Sequence, residues 1–263
     1  MLVGMSIASL IDPVTAAGGP ANLSRAEAWM QGRTLYGGAS ALVAYTAAVR
    51  AFPELPPLRA AQIAFVAPVG GEIELKREIV RQGRNVAQVR SEIWSDGACA
   101  LSAFWLFGTA REANAVHPAA ELGDWPGSPD DAEPVMTDQG PPFIRHNFEL
   151  RRAQDERGPG APVVRRWARL TEQEVLDPIS GLILMGDVLP PGAMRAMRRQ
   201  GPVSSINWSF NVLDVEPATR DGWWLSENAS QHADHGYSSE WLRLWNADGR
   251  QVLEGMQAAA IFG

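Results

Sequence analysis

One sequence pattern occurs twice in this 263-residue chain, at positions about 150 residues apart. The segments Ser91 to Gly108 and Ser239 to Gly263 each read as a hydrophobic strand, a polar turn containing Asp-Gly, and a returning apolar strand. This spacing is far too long for a solenoid or propeller repeat. The sequence therefore predicts two related domains. Comparing equivalent positions in the two copies shows which residues one domain kept and the other lost.

A proline-rich, acidic stretch lies between the two copies. Residues 113–142 contain six prolines and six acidic residues but neither Lys nor Arg. Proline removes a backbone donor from any helix or central strand, and the acidic side chains favour solvent. We interpret this stretch as an interdomain linker, with a first domain at 20–112 and a second at 143–263.

Each domain is predicted to contain one central helix and a run of antiparallel strands. The Ala-rich segment from Gly37 to Phe52 is apolar nearly all round, which is typical of a helix enclosed by protein. The second helix is predicted from Pro178 to about Arg199, interrupted at Pro190-Pro191. Strands are predicted at 59–67, 71–82, 86–95, 98–107, 143–152, 163–170, 204–213, 222–231, 237–246 and 250–262. This α+β pattern favours a curved sheet wrapped around a buried helix, formed twice.

Composition narrows the range of functions. The net charge of −7 argues against nucleic acid as a partner, although 22 Arg and one Lys supply positive groups for phosphate. A single cysteine, Cys99, excludes an intrachain disulfide and a cysteine-built zinc site. The apolar N-terminal segment 1–11 lacks a basic flank and is too short to span a bilayer, so we expect a cytoplasmic protein that makes no membrane contact.

Several local sequences, in order, are similar to those of the acyl-CoA thioesterase II family and its thioesterase-like relatives. The motifs are QGRTLYGG (31–38), FVAPV (65–69), RQGRN (81–85), PFIRHNFELR (142–151), LMGDVLPPG (184–192), SSINWSF (204–210) and VLEGMQ (252–257). The resemblance covers nearly the whole chain. It implies a double hot dog fold, in which two curved antiparallel sheets are each wrapped around a central helix, and it implies hydrolysis of acyl-CoA in fatty acid metabolism.

The resemblance also implies a catalytic site in the second domain, where an Asp, a Thr or Ser, and a Gln hold a water. By position these residues are Asp187, Ser205 and Gln257. A positioned carboxylate is a suitable general base for activating that water. Gly37 and Gly38, at the start of the first helix, have no side chain to block a thioester, so their amides are predicted to polarise its carbonyl. The alternative interpretation is that the two glycines serve only close packing.

Comparing the two copies predicts that only one site is retained. Alignment on the turn glycines places Trp105 opposite Gln257, and alignment of Phe65 with Phe210 places Ala60 opposite Ser205. A looser alignment of the two helices places Ala44 opposite Asp187. The first domain would then keep the scaffold and lack all three polar groups.

Other ligand contacts are predicted less directly. Arg84, Arg33 and His235 are candidates for contacts with CoA, and a solvated surface position is the alternative for the arginines. An apolar tunnel between the helices would hold the acyl chain, with Trp208, Phe210 and Met185 either lining it or forming plain core. No metal or redox cofactor is implied, and relatives lead us to expect a homodimer or homotetramer.

Two other functions are compatible with the same fold. One is an acyl-CoA-binding hot dog protein without activity, and the other is an enoyl-CoA hydratase. Hot dog hydratases pair an Asp with a His about five residues later, where this chain has Gly192. A metal site at His232 and His235 is disfavoured because these residues lie at a strand end running into a glycine turn, and no G-x-S-x-G motif supports a serine hydrolase.

Overall fold

The computed structural model describes residues 6–155, 157–172 and 176–262, and within them eleven strands form one antiparallel sheet. The strands are β1 (Gly19–Asn22), β2 (Met30–Gln31), β3 (Thr34–Leu35), β4 (Leu58–Phe65), β5 (Glu72–Gln82), β6 (Val86–Ser95), β7 (Ala98–Gly108), β8 (Phe148–Arg152), β9 (Val163–Leu170), β10 (Val203–Val212), β11 (Trp224–Asp234), β12 (Tyr237–Asn246) and β13 (Gln251–Ile261). The helices are α1 (Ala8–Ile11), α2 (Gly37–Ala51), α3 (Pro142–Asn147) and α4 (Pro178–Gly186), with 3₁₀ turns at Glu27–Trp29, Pro129–Asp131, Gly192–Ala196 and Arg220–Gly222. Strands β2 and β3 pair only with each other.

The sheet has the same strand order in its two halves. The first half runs β5-β6-β7-β4 and the second runs β11-β12-β13-β10, so that β4 and β10 meet in the middle. These two strands pair antiparallel, with Ala60 to Ala64 facing Asn211 to Asn207. Strand β1 extends one edge, and β9 and β8 extend the other. The predicted α+β double hot dog fold, with one central helix in each half, is confirmed, and its two predicted sheets are continuous through the pairing of β4 and β10.

The two long helices occupy the inside of the sheet and pack against each other. Every residue of α2 from Gly38 to Ala48 is buried, because small Ala side chains let the surrounding strands approach closely. Asp177 caps helix α4, and its carboxylate accepts hydrogen bonds from the N–H groups of Ile179 and Ser180. This capping fixes where α4 starts.

Helix α4 is shorter than the sequence predicted. It ends at Gly186 instead of continuing toward Arg199, and only a 3₁₀ turn follows at Gly192–Ala196. A Cβ at residue 186 would lie 2.7 Å from the Trp208 ring, so the helix end is tightly packed. Pro190 and Pro191 have no N–H to continue the helical hydrogen bonding. The chain therefore leaves the helix directly at Asp187.

Two further expectations need correction. The segment predicted as a strand from residue 143 begins instead with α3 and becomes extended only at Phe148, because Pro142 favours the first turn of a helix. Part of the predicted solvent-exposed linker packs on the second half. Trp125 contacts the buried Trp167 at a ring separation of 5.5 Å, and Pro134 bridges to Arg151.

Residues 1–5 of the apolar N-terminal segment lie outside the described residues.

In the part of the chain that the structure describes, no helix is both long enough and apolar enough to cross a membrane.

Candidate active site

Asp187 lies where α4 ends and faces the beginning of α2. Its backbone has left the helical region, with φ −119° and ψ 22°, and its side chain is only 9% exposed. A negative charge is unfavourable at the C-terminal end of its own helix and favourable at the N-terminal end of α2. The early end of α4 therefore brings the carboxylate to a helix terminus that can stabilise it.

Gln257 holds this carboxylate from the sheet. Its side chain is 3% exposed on β13, and its Nε2 donates a hydrogen bond of 2.8 Å to Asp187 Oδ1. Alternation along β13 points Gln257 inward between the buried residues Gly255 and Ala259. The structure thus joins two of the three residues that the resemblance implied.

Burial controls the charge state of Asp187. It raises the pKa of this carboxyl group from its ordinary value to about 7, while hydrogen bonds from Gln257 and from the backbone N–H of Gly38 partly oppose that rise. A carboxyl group that changes charge near neutral pH is suited to exchanging a proton with a reacting molecule.

Close packing leaves no room for a side chain at Gly37 or Gly38, at the start of α2. A Cβ at Gly37 would lie 2.2 Å from Asp187 Oδ2, and a Cβ at Gly38 would lie 2.8 Å from the carbonyl oxygen of Leu184. The N–H of Gly38 is also directed at Asp187. Of the two amides predicted to polarise a thioester, that of Gly38 thus also acts on the charge of Asp187.

A pocket of about 640 Å³ opens onto Asp187. Ser205 on β10 lines it, is half-buried, and its hydroxyl has no hydrogen-bond partner among the described residues. Gly37 and the exposed Arg33 also line it. Apolar side chains supply much of the remaining wall: Leu35, Phe65, Val66, Val69, Phe143, Ile144, Val188, Leu189, Met194 and Val203.

Other predicted contacts lie outside this pocket. Arg84 is exposed in the turn between β5 and β6, and His235 is exposed in the turn between β11 and β12, 3.5 Å from the Asp234 carboxylate. Neither residue lines the pocket. Trp208, Phe210 and Met185 are buried core residues rather than tunnel lining, because α2 and α4 pack directly against each other.

Two residues of the site were missed from the sequence. Tyr36, just before the glycine pair, donates a hydrogen bond of 3.0 Å to the carbonyl oxygen of Leu184 and stacks on Phe143 at 4.2 Å. Ser40 lines the pocket from the first turn of α2. Its position three residues after Gly37 was the available signal, since that spacing returns to the same helix face.

The corresponding location in the first half is filled. Trp105 is buried, its indole N–H donates a 2.7 Å hydrogen bond to Ser91 Oγ, and that hydroxyl donates to the carbonyl of Ala44. With Trp105 matched to Gln257, the pairing of the neighbouring strands matches Ser205 with Leu58 instead of Ala60. Leu58 is equally apolar, so this half still has no counterpart of the polar group.

Both halves of the sequence match one family. Residues 25–108 match the acyl-CoA thioesterase N-terminal domain, and residues 124–261 match the acyl-CoA thioesterase C-terminal domain. The chain belongs to the acyl-CoA thioesterase family. This membership supports thioester hydrolysis as the class of activity. No curated protein matches the sequence.

Solved structures agree on the fold of this acyl-CoA thioesterase family member. A hot dog protein from Alicyclobacillus acidocaldarius has a TM-score of 0.80 at 20% identity, covering 93% of this chain and 92% of its own. The acyl-CoA thioesterase II TesB2 from Mycobacterium marinum has a TM-score of 0.67 at 19% identity, covering 85% and 88%. The tesB protein of Mycobacterium avium has a TM-score of 0.71 at 19% identity, covering 87% and 88%. The double hot dog fold is therefore shared with thioesterase II proteins.

Within the described ranges, no three His, Cys, Asp or Glu side chains are grouped so as to hold a metal ion.

Proposed function

We propose that this protein hydrolyses acyl-CoA to a fatty acid and CoA by direct attack of a water molecule activated by Asp187. The observation that carries the proposal is a buried carboxyl group with a pKa of about 7, fixed by Gln257 at the wall of a pocket. At neutral pH about half of such groups are ionised and able to accept a proton. The family membership supplies the thioester as the substrate class.

Asp187, Gln257 and Ser205 each have one role in the proposed hydrolysis. Gln257 occupies Asp187 Oδ1, so Oδ2, which lies against Gly37, is the oxygen available to a water. Ser205, with an unpaired hydroxyl in the same pocket, orients that water. Asp187 takes one proton as the water oxygen adds to the carbonyl carbon. When the carbon–sulfur bond breaks, the proton passes to the departing thiolate, and free acid and CoA thiol result.

The N-terminal end of α2 stabilises the negative charge that develops on the carbonyl oxygen. The N–H of Gly37 is one of the first-turn groups that have no partner within a helix, and the helix dipole adds to its effect. Removing a single donor of this kind typically lowers kcat by roughly 10² to 10³-fold. Arg33, at the wall of the same pocket, and Arg84 are proposed to meet the phosphates of CoA.

The test is release of free thiol from a panel of acyl-CoA substrates of increasing chain length. We expect turnover by the natural protein and a loss of at least about 10²-fold in Asp187→Asn, which is nearly isosteric and removes only the base. Ser205→Ala and Gln257→Ala should each cost less and combine non-additively, because both act on one water, Ser205 directly and Gln257 through Asp187. If no chain length releases thiol above background while a thioether analogue still binds, the protein is a binding protein and not a hydrolase.

A further inference from the structure

One buried hydroxyl group in the pocket has no task in the proposed reaction. Ser40 is 2% exposed and lines the same pocket as Asp187 and Ser205. Its hydroxyl forms no hydrogen bond with another described residue. Its oxygen is also absent from the fully enclosed, unpaired polar atoms of the described residues, so it is reached from the pocket, where a bound molecule can pair with it.

Other buried serines lie outside the pocket; the Ser238 hydroxyl is also unpaired there, whereas two others are paired. The Ser91 hydroxyl donates to the carbonyl of Ala44, and the Ser180 hydroxyl donates to Asp177. A serine inside a helix commonly donates to the carbonyl one turn back. For Ser40 that carbonyl belongs to Tyr36, and it receives only the backbone N–H of Ser40. The Ser40 hydroxyl therefore forms no hydrogen bond to the backbone of its own helix.

Helix geometry places this hydroxyl beside the reacting groups. Ser40 lies three residues after Gly37 and on the same face of α2, and side chains of a helix lean toward its N-terminus. The hydroxyl therefore lies over the turn that contains Gly37, against which Asp187 Oδ2 packs. A thioester carbonyl at this helix end thus meets the amide of Gly37 and the hydroxyl of Ser40.

We infer that Ser40 is a catalytic residue, whose hydroxyl donates a hydrogen bond to the thioester carbonyl oxygen as that oxygen becomes negatively charged. Together with the N–H of Gly37 it forms a two-donor site for the oxyanion. This inference rests on the proposed hydrolysis and adds a residue to it. No covalent bond to Ser40 forms, since the hydroxyl keeps its proton throughout.

The experiment compares Ser40→Ala with the natural protein and with Thr46→Val. Thr46 is a matched control because it is a buried hydroxyl residue of α2, 6% exposed, that does not line the pocket. Ala is a better helix former than Ser, so Ser40→Ala should melt no lower than the natural protein. We expect kcat to fall roughly 10²-fold, with KM and the Kd of a thioether analogue changed less than about twofold.

Each other outcome has a separate meaning. If the natural protein turns over acyl-CoA and Ser40→Ala keeps its kcat, the role of Ser40 is wrong and the hydrolase proposal stands. If only KM rises, Ser40 binds the ground state and is not an oxyanion donor. If Thr46→Val loses as much activity as Ser40→Ala, the loss reflects disturbance of α2, which overturns the inference. If the natural protein releases no thiol, the inference falls together with the proposed function.

Discussion

At the residue scale, the raised pKa of Asp187 determines the pH range in which the protein can work. As a general base, Asp187 must be ionised, so kcat/KM should rise with pH and level off above about 7. The hydrogen bond from Gln257 lowers this pKa, and its removal in Gln257→Ala should move the midpoint to higher pH. The measurement is kcat/KM from pH 5 to 9 at constant ionic strength, corrected for uncatalysed hydrolysis. A midpoint that is the same in both proteins would assign the titration to another group.

The same pKa predicts how stability depends on pH. Because burial raises the pKa of Asp187 above its unfolded value of about 4, the folded state binds this proton more tightly than the unfolded state. Its contribution is fully present below pH 4 and is lost as pH rises to about 7, at roughly 1.4 kcal/mol per pH unit. Asp187→Asn has no such group.

The melting temperature of Asp187→Asn should therefore rise relative to that of the natural protein as the pH is raised from 4 to 8. Thermal melts of both proteins across that range measure the difference. A constant difference between the two curves would mean that the carboxyl group keeps an ordinary pKa in the folded protein.

At the scale of elements, the contact between the end of α4 and the start of α2 requires a glycine at residue 37. In Gly37→Ala the new Cβ would lie 2.2 Å from Asp187 Oδ2, so the carboxylate must move away from its position beside the pocket. We expect a loss of at least about tenfold in kcat/KM, because misplacing a catalytic group by about 1 Å can cost as much as 10²-fold.

Gly181→Ala is the matched control, since a Cβ at this position of α4 would meet nothing within 4 Å. It should keep full activity and gain about 0.5 to 1 kcal/mol of stability from better helix propensity. Equal activity in Gly37→Ala and Gly181→Ala would show that the carboxylate has room to shift without consequence.

Local sequence signals account for most elements, and long-range packing accounts for the rest. The Asp96-Gly97 turn and the alternation on either side of it were sufficient to predict β6 and β7 closely. The early end of α4 could not be predicted, because it depends on the Trp208 ring packing against Gly186 from a distant strand. The match of Leu58 to Ser205 also depends on strand pairing. A sequence alignment alone contains no strand register, and here it was wrong by two residues.

The residues of the candidate site likewise fall into those that the sequence indicated and those that only the structure showed. Asp187 and Gln257 were found through a resemblance of residue types, but their hydrogen bond joins residues 70 positions apart. Ser40 was missed because a serine in an Ala-rich helix carries no local sign of whether it faces core or pocket. Only the placement of α2 against the loop after α4 shows which side is open.

At the scale of the whole molecule, the near-twofold sheet has a site at only one of its two equivalent positions. The pocket combines Gly37 and Ser40 of the first half with Asp187 and Ser205 of the second. At the counterpart position, Trp105 and Tyr45 pack edge to face at 5.3 Å and fill the space. We therefore predict that one chain binds one molecule of a thioether acyl-CoA analogue.

Calorimetric titration of the analogue measures this number, and Asp187→Asn should give the same value because it keeps the pocket. The first half does have an open groove of about 750 Å³ near the end of β7, bordered by Arg59 and Arg111. Two equivalents per chain, reduced to one by Arg59→Ala, would show that this groove also binds the ligand. Since Asp187 does not line this groove, a second ligand there would be bound without being hydrolysed.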